Sequence, residues 1–208
     1  GRIFMQLMHC GRISHPSLLP NGAQPQAPSA IKPAGQTWTA TGLEDFVTPH
    51  ALSVVEIAAV IEGYRQAARL AIEAGFDGVE VHAASGYLPE QFLSTGSNQR
   101  TDEYGGSVEN RVRFVLDVLA AISTEIGGDR VGLKISPEMN FNDIVDANPQ
   151  ETYTWLVEQL HGLNLAYLHV ALFGTSVDYH ALLRPLFDGS YLIGGGLDQR
   201  SAESLIAK

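Results

Sequence analysis

Within six positions the chain carries an imidazole, a hydroxyl and a phenol, on His82, Ser85 and Tyr87. The first two can donate hydrogen bonds to an oxygen that is gaining charge. A phenol holds its proton at neutral pH and can release it to a developing carbanion. The stretch Asp77 to His82 that leads into them alternates as a strand does, with Val79 and Val81 on one face and Glu80 and His82 on the other. A helical run ending at Gly75 precedes this strand and a second helical pattern follows it, which makes it part of a βα series. Such folds do their chemistry at the carboxyl ends of the strands, where His82 falls. A structural histidine fits the same position, so the rest of the sequence has to decide.

Other chemistry-bearing residues fall at predicted strand ends. Gln6 is polar on the inward face of an otherwise apolar strand, and Lys134 lies opposite the apolar Val131, Leu133 and Ile135. An inward Lys134 could also pair with Glu80 in one layer. Gly194, Gly195 and Gly196 precede a helix capped by Asp198, and glycine amides at a helix start suit a phosphate. His9, His82 and His169 also sit near strand ends, which is how a barrel metallohydrolase gathers its ligands, although no carboxylate cluster accompanies them.

The chain has 208 residues, 45% of them hydrophobic, enough for one domain spanning 1–208. No apolar run is long enough to cross a bilayer, and the opening Gly1 to Met8 reads as a strand rather than a signal peptide. A formal net charge of −10 speaks against a nucleic-acid or anionic-membrane partner. Cys10 is the single cysteine, which rules out an intrachain disulfide and a Cys-based zinc site. The expected setting is cytoplasmic.

Taken in order, the chain repeats one unit. Ile3 to His9 reads as a buried strand, with Phe4, Gln6 and Met8 on one face. Residues 10–53 lack helical or strand periodicity and read as a long loop of functional type. Ser53 with Glu56 forms a capping box for a helix that stops at Gly75. After the strand at 77–82 come a helical piece from Tyr87 to Leu93, a polar loop at 94–106 and a helix from Val108 to Ile126. Val131 to Ser136 is a third strand, and Asn148-Pro149 opens another helix. Strands at Leu165 to Val170 and Tyr191 to Gly194 flank a helix from Tyr179 to Phe187. Five strands alternating with helices mean an α/β parallel sheet. No Gly-rich turn follows the first strand, so a (β/α)8 barrel fits better than a doubly wound sheet. Such a barrel needs eight strands, and both ends of the chain read as cut.

The motifs resemble those of the old yellow enzyme family of FMN-dependent ene-reductases. The resemblance lies in Gln6 to His15, in Glu73 to Leu88, in the run Ser97 to Arg111 and in Gly194-Gly195-Gly196, all in the family's order. It covers essentially the whole chain and implies a flavin-binding (β/α)8 TIM barrel of which this chain supplies strands three to seven. It also implies noncovalent FMN, with NADPH or NADH as hydride donor and an electron-poor alkene or nitro compound as substrate.

The resemblance assigns roles residue by residue. Gln6 matches the Gln that bonds the flavin ring edge, and Lys134 matches the cation near flavin N1 and the C2 oxygen, where many members carry Arg. Gly195 and Gly196 match the phosphate-binding turn. His82 matches a residue that lines the flavin and holds the substrate oxygen, and Tyr87 matches the proton donor. The chain departs from the pattern at Ser85, where members carry His or Asn, and at Met8, where many carry Trp. The loop from Ala171 to Ser176 is short for the family. The signature from Asn98 to Arg111 reads as structural, anchoring a loop and starting the long helix. An open set of five strands leaves two edges that further segments, a homo-oligomer or a partner chain must cover. The rival to an ene-reductase is an inactive barrel fragment serving as an interaction module.

Overall fold

Alternating apolar residues produce five strands that pair side by side, and the intervening segments lay helices across one face of them. The computed structural model describes residues 1–206. The strands are β1 (Phe4–Leu7), the short β2 (Gln26–Ala27), β3 (Gln36–Thr39), β4 (Gly42–Asp45), β5 (His50–Ala51), β6 (Gly78–Ala83), β7 (Val131–Ile135), β8 (Tyr167–Ala171) and β9 (Ser190–Gly194). The helices are α1 (Val54–Glu73), α2 (Leu88–Leu93), α3 (Val108–Ile126), α4 (Pro149–Glu158), α5 (Tyr179–Leu183) and α6 (Gln199–Ile206).

The main sheet has the order β1-β6-β7-β8-β9, parallel throughout, with β1 and β9 as its edges. This is part of a (β/α) barrel. Val79, Val81, Val131, Leu133, Ile135, Leu168 and Val170 form the covered face and share one core with Ile57 and Ala68 of α1, Phe114, Val118 and Ile122 of α3, and Leu156 of α4. Each fully buried Leu, Ile or Phe of that layer contributes roughly 1.5–3 kcal/mol. The opposite face carries Gln6, Glu80, His82, Lys134 and His169, the other half of the same two-residue period.

The helix boundaries follow their caps. The Ser53 side chain accepts the Glu56 N–H while Glu56 reaches back to the Ser53 N–H, so α1 starts where the capping box predicts. Asn148 accepts the Glu151 N–H at the start of α4, and Asp198 accepts the Ser201 N–H at 2.8 Å at the start of α6. Two expectations need correction. Residues 10–53 are not a plain loop, since β3 and β4 form an antiparallel hairpin and β2 pairs in parallel with β5. The strand expected at Leu165–Val170 begins two residues later and ends one later, and Ala166 N–H is taken by the Gly128 and Val131 carbonyls before the ladder with β9 begins.

The run from Asn98 to Arg111 is structural, as its sequence suggests. Arg100 donates to the Pro28 and Leu52 carbonyls and pairs with Asp102. Arg111 donates to the Leu93 and Gly106 carbonyls and to Thr152 Oγ1. Asn98 Nδ2 closes the loop on the Phe92 and Tyr104 carbonyls, each at 2.7 Å.

Candidate active site

Strand register gathers the candidate residues at one end of the sheet. Gln6 on β1 stands beside Glu80 on β6, His82 beside Lys134 on β7, and Lys134 beside His169 on β8. Ala171, ending β8, stands beside Gly194, ending β9, so Gly195 and Gly196 follow at the same end. The chain leaves β6 through Ala84, Ser85 and Gly86 and enters α2 at Tyr87, its N-cap. The His82 and Tyr87 rings lie side by side there, centroids 5.6 Å apart. Met8 sits just past β1, half exposed.

A polar network underlies this row. Glu80 accepts from Gln6 Nε2 at 2.7 Å and from His169 Nδ1 at 3.0 Å. Burial pushes the Glu80 carboxyl up, but the bonds from His169 and Gln6 outweigh it and hold the carboxyl below its ordinary range. Glu80 is thus ionised at neutral pH, and it fixes the amide of Gln6. The alternative pairing of Lys134 with Glu80 does not form, and Lys134 makes no ion pair among the described residues. Its charge stays available.

His82 is 5% exposed, and its Nδ1 is buried without a partner among the described residues. Burial, reinforced by Lys134 and His169 and opposed by Glu80, lowers its pKa to about 4. The ring is therefore neutral above pH 5, with one N–H to donate and one nitrogen to accept. The turn after β9 has its own requirement. Gly195 has φ +78°, and a Cβ there would sit 2.6 Å from the Leu172 carbonyl oxygen, so only glycine fits.

The three histidines do not converge on a metal. His9 Nδ1 accepts the Gly11 N–H and His169 Nδ1 is bonded to Glu80. Among the described residues no group of three or more His, Cys, Asp or Glu has metal-holding geometry. Nor is any described helix long and apolar enough to cross a membrane.

Sequence reasoning missed the residues behind the turn, namely Glu90, Ser136 and Asn142. The one available signal was an acid in the first turn of α2, set with Gln91 among the apolar Leu88, Pro89, Phe92 and Leu93.

A partial parallel barrel with its polar residues at the strand carboxyl ends, including an unpaired buried imidazole nitrogen, an uncommitted Lys and a Gly turn, has the donor set for a flavin ring and its phosphate. Residues 1–180 match the NADH:flavin oxidoreductase / NADH oxidase family. The chain belongs to that family, the one its motifs resemble. FMN and a nicotinamide dinucleotide are the family's cofactors. Among the similar proteins, 12-oxophytodienoate reductase 1 of Oryza sativa subsp. japonica is 39% identical, over 98% of this chain and 55% of its own length. A Leishmania infantum protein named "Probable flavin mononucleotide-dependent alkene reductase" is 48% identical, over 82% of this chain and 48% of its own. The solved structure of morphinone reductase in complex with tetrahydroNAD superposes with a TM-score of 0.94 at 42% identity, over all of this chain and 59% of that one. The old yellow enzyme homologue from Zymomonas mobilis gives 0.94 at 32% identity, over all of this chain and 60% of that one. The chain thus spans less than two thirds of the length of each of these relatives.

Proposed function

We propose that the protein takes hydride from NADH or NADPH and reduces the activated C=C bond of an enone, nitroalkene or related electrophile. The observation that carries this reading is the pairing of His82 with Tyr87 at the strand ends, in line with Gln6, Lys134 and the Gly195-Gly196 turn. FMN, bound there, would supply the hydride transfer between the nicotinamide and the alkene. Gln6, oriented by Glu80, and Lys134 would hold the flavin, the amide by a hydrogen bond and the lysine by offering a cation to negative charge on the reduced ring. The amides of Gly195 and Gly196 receive the phosphate. Neutral His82 donates its N–H to the substrate oxygen and also lines the flavin, Ser85 adds a second donor, and Tyr87 delivers a proton to the alkene carbon opposite the hydride. In this reading, further strands or a partner chain cover the exposed Gln6 and Leu192 on the open face. The acidic charge and single cysteine support a cytoplasmic setting.

The intact protein is expected to purify yellow, with a band at about 450 nm that shifts on nicotinamide addition. Initial-rate plots for NADPH and 2-cyclohexenone are expected to be parallel, because both must use one open flavin face in turn. Protein that neither holds nor takes up FMN, or lines that intersect, would count against the reading.

Ser85 offers a sharper check. Its φ of 58° is left-handed, a region that Asn tolerates better than Ser, and a carboxamide reaches further than a hydroxyl. Ser85→Asn is expected to tighten enone binding by about 1 kcal/mol, the net worth of one hydrogen bond. Titration of the flavin band with 2-cyclohexenone measures it. If neither affinity nor the rate of enone reduction changes, residue 85 lies outside the binding site.

A further inference from the structure

Behind the turn lies a carboxyl that the chemistry above does not use. Glu90, in the first turn of α2, is 1% exposed. Its Oε2 accepts the Gly86 N–H at 2.5 Å, and its Oε1 lies 2.7 Å from the Tyr153 hydroxyl and 3.3 Å from the Ser136 hydroxyl, which donate to a carboxylate and of which one accepts the proton of the neutral acid. Ser136 Oγ in turn accepts the Ser85 N–H at 2.8 Å. The two carbonyls of the turn are also taken by side chains, Ser85 by Asn142 Nδ2 and Gly86 by Gln91 Nε2, each at 2.8 Å. Ser85 and Gly86 have φ of 58° and 77°, so the chain stays left-handed for two residues, which the surroundings must impose on Ser85. Of the four side chains that hold the turn, Glu90 is the one that can change its charge.

We infer that Glu90 is a positioning residue for this turn: its buried carboxyl ties Gly86 and, through Ser136, Ser85 in place, and a negative charge left there without a cation favours opening of the turn. The inference rests on reading the turn as the substrate side of the site.

Burial drives the Glu90 carboxyl up to about 7, against the bonds from Gly86, Tyr153 and Ser136, and Asp146 adds to the rise. The groups that face it are Tyr153 from α4 and, from the segment between β7 and α4, Asp146, with Glu138 lining the same cavity of about 320 Å3. Arg111 of α3 lies 4.0 Å from Asp146, and no cation pairs with Glu90 among the described residues. Any opening that wets Glu90 returns it towards its ordinary 4.5, so the open form gains on the closed one as pH rises from there to about 7. A glutamine mimics the protonated acid, because its oxygen can accept the Gly86 N–H while its NH2 donates to the Tyr153 and Ser136 oxygens.

Hydrogen–deuterium exchange of the full-length, flavin-loaded protein between pH 5 and 7 reads the turn directly. After correction for intrinsic rates, protection of residues 84–88 in the wild type is expected to fall about ten-fold per pH unit. In Glu90→Gln it is expected to stay level. Tyr153→Phe removes one donor to the carboxylate, so the titration, and the pH at which protection levels off, should move up. The KM for 2-cyclohexenone is expected to rise over the same range in the wild type and not in Glu90→Gln. Level protection in the wild type, or an equal slope in Glu90→Gln, overturns the inference. The expected exchange pattern without any enone turnover upholds the hold of Glu90 on the turn and refutes the substrate reading instead.

Discussion

Tyr87→Phe is expected to leave flavin reduction by the nicotinamide at its wild-type rate and to slow alkene reduction by about 10²–10⁴-fold, the usual worth of a positioned general acid. In the proposed reaction the two halves part because only the second needs a proton. The Tyr87 backbone starts α2 and its carbonyl accepts the Gln91 N–H, so removing one hydroxyl leaves the helix start intact. His82→Ala removes the donor that the proposed reaction assigns to the substrate oxygen and should cost about 10²–10³-fold, as loss of an oxyanion donor does. Because His82 titrates at about 4, its donor strength should show no break near the ordinary histidine pKa between pH 5.5 and 8. Stopped-flow traces of each half-reaction separate these effects. A Tyr87→Phe enzyme slowed equally in both steps would place the defect in folding or flavin seating and end the proton-donor role.

Glu90→Gln is expected to make the protein more stable than the wild type at pH 8 by up to about 3 kcal/mol, with the gap nearly closed at pH 4.5. The carboxyl rises from 4.5 to about 7 on folding, and each unit is worth about 1.36 kcal/mol. A raised pKa means that the folded state holds the proton more tightly than the unfolded chain. The stability this contributes is full below the unfolded value and is lost as pH climbs through the folded one. Glutamine carries no proton to lose, so its stability lacks that slope. Urea midpoints at pH 4.5, 6 and 8 measure the gap, and a gap of the same size at all three would show that Glu90 is ionised in the fold throughout.

Much of the scaffold is legible in the chain order of side chains. Val79, Glu80, Val81 and His82 declare β6 and the face that His82 takes, because a strand repeats every two residues and a helix layer packs on the apolar half. The capping box at Ser53 and Glu56, and the pairs Asn148-Pro149 and Asp198-Ser201, mark helix starts because they satisfy orphan N–H groups locally. Local chemistry predicts local structure. The short pairs β2–β5 and β3–β4 escaped because their residues are small, polar or exposed, and carry no period that a core would impose.

By itself, then, the sequence determined the βα order, the inward row of Gln6, His82 and Lys134, the glycine turn after β9 and the family motifs. Only the tertiary structure decided what those groups are bonded to. It joined Glu80 to Gln6 and His169 rather than to Lys134, which left the lysine without an ion pair among the described residues. It brought Ser136 within reach of Glu90 across 46 residues of chain, and Asn142 to the Ser85 carbonyl across 57. Its packing also shifts titrations, burial drawing His82 down to about 4 and driving Glu90 up to about 7. The reason is physical. Periodicity and capping are properties of neighbours in the chain, whereas desolvation depends on everything packed around a group, most of it far away in sequence.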